Sequence, residues 1–133
     1  MSTFTRRAML LKASASATLA TLLPAGASAL AGAETKTSKV FHVFAFQWKE
    51  GTTDAQIARA THDIRAFQGV IPGLLQTHVG PNLSTKGNGY TYGGIMEFAD
   101  KAALDAYPSH PAHQALLQWL VPLIHAVELD LNA

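Results

Sequence analysis

Residues 40–48 read Val-Phe-His-Val-Phe-Ala-Phe-Gln-Trp, and this stretch decides the architecture of the chain. Its β-branched and aromatic residues predict a strand, whose side chains alternate between two faces. One face carries His42 and Phe44, and the other carries Phe41 and Val43. Because both faces are largely apolar, both must be covered. Helices of the same chain can cover one face, so the second face needs another layer, most simply a second copy of the chain.

A helix is predicted after this strand. Thr53 and Gln56 have the spacing of a capping box, in which each side chain bonds the backbone of the other at a helix N-terminus. Gly69 is typical of a position just past the end of a helix. Between them, apolar residues recur at helical spacing, namely Ile57, Ala60, Ile64 and Phe67. The segment therefore predicts an amphipathic helix on one face of the sheet, with His62 in solvent.

The rest of the chain predicts three more strands and two more helices. The strands are expected over about residues 74–79, 90–98 and 127–131, a short helix from Asp100 to Tyr107, and a longer helix over roughly residues 112–125. Gly93 and Gly94 indicate a bulge or a close approach of backbones. Pro111 suits a first helical turn, whereas Pro122 should kink the helix or end its regular part. The order predicts an α+β, ferredoxin-like βαββαβ subunit, with an antiparallel sheet and helices on one face.

The start of the chain differs from the rest. Residues 5–12 read Thr-Arg-Arg-Ala-Met-Leu-Leu-Lys, and a stretch without charge follows that ends in two overlapping A-x-A sequences. Its most apolar part, residues 13–23, is shorter than the roughly 20 residues of a membrane-spanning helix. This layout predicts a signal peptide rather than an anchor. Arg6 and Arg7 resemble the bacterial twin-arginine motif, so the twin-arginine export machinery is an expected partner and the protein is expected to be periplasmic or secreted.

Composition and charge restrict what the remaining domain can do. We expect a signal peptide over residues 1–31, a loose linker over 32–39 and one domain over 40–133. The chain has no cysteine, which excludes disulfides, zinc–thiolate sites and thiol nucleophiles. Three of the ten Lys and Arg residues precede residue 32, whereas all nine acids follow it. The domain is therefore slightly acidic, and no nucleic-acid partner is expected.

The most specific motif is Tyr-Pro-Ser-His-Pro-Ala-His, from Tyr107 to His113. Three shorter motifs accompany it: His-Val-Phe at 42–44, Ile-Pro-Gly at 71–73 and Gly-Tyr-Thr at 89–91. Together they resemble the stress-responsive dimeric A/B barrel family, often called Dabb, over about residues 42–131. The resemblance implies a ferredoxin-like subunit that pairs with a second copy through its sheet face into a dimeric α/β barrel.

The resemblance also implies roles for individual residues, because some plant members of the family are polyketide cyclases. His113 corresponds to their general base, and Tyr107 to the tyrosine that holds the substrate. His42 matches a histidine of their first strand, whereas Tyr92 replaces a further pocket histidine. The candidate ligand-binding residues are His42, Phe44, Tyr92 and His110.

Simple electrostatics is compatible with His113 as a base. The residue falls in the first turn of a predicted helix, whose positive end disfavours a protonated imidazole. A neutral imidazole accepts a proton near neutral pH, and the Tyr107 hydroxyl could donate beside it.

Other interpretations of this block stay open. It could be a structural joint, in which Ser109 or His110 caps the helix and Pro111 starts it. His42, His110 and His113 could in principle hold a metal, but the block contains no acid and lacks the usual zinc-site spacing. We expect neither a metal nor a cofactor.

Two functions of different classes follow. The first is an exported, non-catalytic dimer that binds a small apolar or aromatic molecule inside the barrel. The second is a lyase or cyclase, or a cofactor-free oxygenase, that acts on an aromatic or polyketide-like substrate with His113 as the base.

Overall fold

The computed structural model describes residues 38–133, so the expected signal peptide and most of the expected linker lie outside the described residues. The strands are β1 (Val40–Trp48), β2 (Leu74–Pro81), β3 (Tyr92–Phe98) and β4 (Ile124–Asn132). The helices are α1 (Asp54–Arg65), α2 (Lys101–Ala106) and α3 (Pro111–Leu120), and a short 3-10 turn follows each of the last two. Over residues 38–133, no helix combines the length and the apolar character that crossing a membrane requires.

The four strands form one antiparallel sheet in the order β2-β3-β1-β4. β4 pairs with the whole of β1, from Ile124 opposite Trp48 to Asn132 opposite Val40. It is longer than predicted because α3 stops at Leu120, and the chain leaves the Pro122-containing turn directly into the strand. The predicted ferredoxin-like α+β fold is confirmed.

The helix-covered face of the sheet forms the core. Phe44 and Phe46 from β1 are 5% and 6% exposed, and Met96 from β3 is 1% exposed. They pack against the helices through residues such as Ile64 and Leu120, which are also buried. The predicted stripe of α1 is the face that packs inward, and burial of these side chains supplies the main stabilisation of the fold.

The opposite face of the sheet, which we call the open face, has no covering layer among residues 38–133. Val127, Leu129 and Leu131 of β4 lie opposite alternate residues of β1 on this face. They are 45%, 57% and 51% exposed. A contiguous apolar strand surface of this kind is typical of a contact site.

Local side-chain bonds fix where the helices begin. Thr53 and Gln56 form the predicted capping box, and Asp100 accepts a hydrogen bond from the Ala103 amide at 2.8 Å. α1 ends at Arg65, one turn before the predicted end at Gly69. Backbone-bonded turns fill the interval, and Gly69 has a φ of +90°, a conformation that favours glycine.

The two central glycines of β3 mark a close approach of backbones. A Cβ on Gly93 would lie 2.6 Å from the carbonyl oxygen of Phe44, and one on Gly94 would collide with the carbonyl of His78. The irregularity in the sheet lies instead in β2, between Leu74 and Gln76. Of the two predictions for this glycine pair, the close approach is therefore correct.

Candidate functional site

Two connected hollows lie between the helix-covered face of the sheet and α3. The inner chamber has a volume of about 90 Å³ and apolar walls that include Phe44, Phe46 and Leu120. The outer chamber has a volume of about 320 Å³ and is bordered by Leu104, Asp105 and Asp130. Five residues line both chambers: His42, Tyr107, His113, Leu117 and Glu128. These shared residues form the passage between an apolar interior and a polar mouth.

The start of α3 orients His113. This residue is the third of the helix, and its Nδ1 lies 3.2 Å from the carbonyl oxygen of Pro108. Because a carbonyl oxygen can only accept, neutral His113 carries its proton on Nδ1, and Nε2 is left as the basic nitrogen. Burial lowers the pKa of His113, opposed by the Pro108 hydrogen bond and the charge of Glu128. Burial thus favours the neutral imidazole.

Tyr107 lies at the junction between α2 and the turn that leads to α3. It is only 5% exposed, and its ring centroid lies 4.1 Å from that of His113 and 5.6 Å from that of His42. Among residues 38–133, no protein group bonds the Tyr107 hydroxyl. Burial, and then the charge of Glu128, raise the pKa of Tyr107 well above the usual range of a phenol. The side chain is therefore a neutral hydrogen-bond donor at the cavity wall.

His42 is held in place by the neighbouring edge strand. It is 7% exposed, and its Nδ1 lies 2.8 Å from Oδ1 of Asp130, which is its direct cross-strand partner on β4. A carboxylate that accepts from Nδ1 fixes the ring orientation and turns Nε2 into the acceptor. His42 and His113 thus both line the cavity, on opposite walls.

Two of the predicted ligand-binding residues do not line the chambers. His110 is the N-cap of α3, and its Nδ1 accepts a hydrogen bond from the Ala112 amide at 3.2 Å. The hydroxyl of Tyr92 is bonded to Thr61, and its ring stacks on Phe46. Tyr92 is buried in the core and is not among the residues that line the two chambers. For His110, the structural-joint interpretation is the one that the geometry supports.

The two chambers lie on the helix-covered face of the sheet, whereas a more open hollow of about 540 Å³ lies on the open face and is lined by residues that include Val43, Ala45 and Ile95. We expected a ligand in the pocket of the barrel that two copies of the chain would form, and this stays a prediction. His42 and Phe44 point instead to the helix-covered face, because both are even-numbered residues of β1 and share the face of the core. The site is therefore enclosed within one subunit, between its own sheet and helix.

Sequence reasoning missed Asp130 and Glu128, which face the chambers from β4. Knowing how β4 pairs with β1 would have identified both residues, because every second residue of β4 faces the helices. The other histidines lie elsewhere: His62 is exposed on α1, as predicted, and His78 and His125 are exposed on strands. Within residues 38–133, no three His, Asp or Glu side chains are grouped so that they could hold a metal ion.

The chemistry available in the cavity is a donor and a base in one apolar enclosure. The Tyr107 hydroxyl can donate to a carbonyl or hydroxyl oxygen, and Nε2 of His113 can accept a hydrogen bond or a proton. The apolar inner walls suit a hydrocarbon or aromatic group.

Comparison with known proteins agrees with this description. The family model described as the stress responsive A/B barrel domain matches residues 40–133. No curated protein matches the chain at a significant level.

Several solved structures are similar to the chain. A dimeric ferredoxin-like protein of unknown function from Jannaschia sp. is 29% identical, with a TM-score of 0.64 over 71% of this chain and 99% of its own. A Dabb family protein with a ferredoxin-like fold from Mesorhizobium loti is 28% identical, with a TM-score of 0.62 over 71% and 96%. The hydroxynitrile lyase from Passiflora edulis is 18% identical, with a TM-score of 0.67 over 72% and 94%, a likeness in fold alone.

Proposed function

The chain belongs to the stress responsive A/B barrel domain family, and on that premise we propose that it binds a small apolar or aromatic molecule between its sheet and α3. Tyr107 and His113 supply the polar contacts, and Phe44 lies in the apolar wall. The observation that carries the proposal is Tyr107, whose side chain is buried and whose neutral hydroxyl has no protein partner among residues 38–133. Because Tyr107 lines both chambers, a bound molecule can accept the hydrogen bond of this hydroxyl.

A bound ligand would satisfy this hydroxyl and the basic nitrogen of His113 together. The two rings are in contact, with centroids 4.1 Å apart, so one carbonyl or hydroxyl group of a ligand could reach both. The remainder of the ligand would lie against the apolar walls of the inner chamber, which gives binding energy without further polar contacts.

The second candidate is an enzyme, a lyase or cyclase or a cofactor-free oxygenase, in which His113 is the base. The observation in its favour is that the neutral tautomer leaves Nε2 of His113 unprotonated beside a phenol donor. A base and a donor so close can take a proton from a substrate and hold the resulting oxyanion. A lyase occurs among the proteins of this fold, as the Passiflora edulis enzyme illustrates.

The binding unit is proposed to be a homodimer that pairs through the open face. The exposed side chains of Val127, Leu129 and Leu131 form an apolar surface that a second copy would cover. The similar protein from Jannaschia sp. is described as dimeric. A domain of this size also gains stability from the additional buried surface.

We also propose that the domain is exported from the cytoplasm. The Arg6-Arg7 pair, the uncharged stretch and the A-x-A sequences support a signal peptide that directs the domain out of the cytoplasm by the twin-arginine route.

The test is a thermal-shift and mass-spectrometry screen of the purified domain against small uncharged phenols, quinones and aromatic aldehydes. A ligand at about 100 times its Kd should stabilise the protein by roughly 2.7 kcal/mol. Tyr107→Phe and His113→Gln should abolish this gain, whereas the matched variants Tyr90→Phe and His62→Gln should keep it. A change in the mass of a ligand would establish the enzyme. If no compound stabilises the wild type, or if all four variants respond alike, the proposed site is wrong.

A further inference from the structure

The charges around the cavity all have one sign. Asp105, Glu128 and Asp130 line the chambers, and no Lys or Arg side chain does so in the described part of the chain. The two histidines of the wall do not offset this, because His113 is kept neutral by burial and His42 faces Asp130. An anion that enters the cavity therefore meets acids and no fixed cation.

Of these three acids, Glu128 is the one that no residue of the described range 38–133 compensates. Both carboxylate oxygens of Asp105 lie within 2.7 Å of the Lys101 ammonium, and Asp130 accepts a hydrogen bond from His42. Glu128 has neither an ion pair nor a hydrogen bond within residues 38–133. It lies in the passage shared by both chambers, and its charge acts on both Tyr107 and His113.

The volume of the inner chamber limits the size of the ligand group that can lie beyond Glu128. Its volume of about 90 Å³ is smaller than the roughly 150 Å³ of an engineered apolar cavity that holds benzene. A short hydrocarbon group or part of a single ring fits inside, and the polar end of the ligand then lies in the passage. That end lies beside the Glu128 carboxylate and the unpartnered Tyr107 hydroxyl.

We propose that Glu128 makes the cavity selective for small ligands whose polar end is uncharged or positively charged, and that it excludes carboxylates and phosphates. This inference rests on the proposed ligand-binding function and narrows its ligand class. Glu128 is exposed to solvent, so its repulsion is partly screened, and an anion should bind about fivefold more weakly than its uncharged counterpart.

The test compares three one-ring probes of similar shape at neutral pH: benzylamine, benzyl alcohol and benzoate. Their affinities are measured by ligand-observed NMR for the wild type, Glu128→Gln and the control Glu50→Gln, which lies in the exposed turn after β1. For the wild type and the control, benzoate should bind about fivefold more weakly than benzyl alcohol. Glu128→Gln should remove most of that gap and weaken benzylamine relative to benzyl alcohol.

The outcomes separate the inference from the function on which it rests. If benzoate binds the wild type as tightly as benzyl alcohol, or if Glu128→Gln leaves the ratios unchanged, the selectivity is wrong but the ligand site stands. If none of the three probes binds and the thermal-shift screen is also negative, the proposed ligand site is wrong, and so is the proposed selectivity.

Discussion

The rings of Tyr107 and His113 lie in contact, with their centroids 4.1 Å apart and their planes inclined by 40°. The contact spans the turn that joins α2 to α3, and the Pro108 carbonyl within this turn accepts the hydrogen bond from Nδ1 of His113. One short segment thus holds a buried phenol ring beside an imidazole whose Nε2 bonds no group of residues 38–133.

Removing the Tyr107 hydroxyl should cost little stability. Tyr107→Phe keeps the ring and deletes a group that no protein atom bonds in the described part of the chain, so we expect a change within about 0.5 kcal/mol. Tyr92→Phe is the matched control, because its hydroxyl bonds Thr61 and its loss should destabilise the fold by about 1 kcal/mol. Urea unfolding of both variants measures the difference. An equal loss in the two would mean that the Tyr107 hydroxyl has a protein partner.

His113 should make the fold less stable in mild acid. Its pKa in the folded protein lies below the ordinary value of 6.5, chiefly because of burial. As the pH falls below 6.5, the unfolded chain binds a proton that the folded chain does not, so stability decreases until the pH reaches the lowered pKa. His113→Gln should reduce this decrease in urea unfolding at a series of pH values, whereas His62→Gln, at an exposed site, should not. A slope unchanged by His113→Gln would contradict the lowered pKa.

His110 should matter for stability and not for binding. As the N-cap of α3 it accepts the Ala112 amide, so His110→Ala should cost about 1 kcal/mol. His110→Ser supplies another capping oxygen and should restore the stability. Thermal unfolding and a ligand titration of both variants test this. A loss of ligand affinity in His110→Ser would return this residue to the binding site.

The open face should determine the oligomeric state. Leu129→Asp places a charge on the exposed apolar strand, and we expect it to convert a dimer into a folded monomer. Val70→Asp, on the helix side of the sheet and 56% exposed, should leave the dimer intact. Light scattering after size-exclusion chromatography gives the mass of each. A monomeric wild type would refute pairing through this face.

Export should depend on the arginine pair. Replacing both Arg6 and Arg7 by Lys keeps the positive charge but removes the twin-arginine motif, so we expect the precursor to accumulate in the cytoplasm. Fractionation of cells that express the full chain measures this. Equal export of the two forms would point to another route.

Local signals in the sequence were sufficient for most of the fold. The capping box at Thr53, the N-cap at Asp100 and the stop at Pro122 act through neighbours a few residues away, and each lies where it was predicted. The ends of helices were less well predicted. α1 ends at Arg65, because turns held by backbone hydrogen bonds replace the helix before Gly69. The contact of Tyr107 with His113 was foreseeable, since one turn separates them.

The sequence by itself determined the two-faced first strand, the order of the elements and the local geometry of the Tyr107–His113 segment, because these depend on periodicity and on short-range hydrogen bonds. Only the tertiary structure decided which residues complete the cavity. His42 and Asp130 are 88 positions apart, and sheet register alone brings them together. The same register places Glu128 in the passage and leaves Tyr92 outside it. Side chains remote in sequence meet only when the strands pair, so no local pattern contains that information.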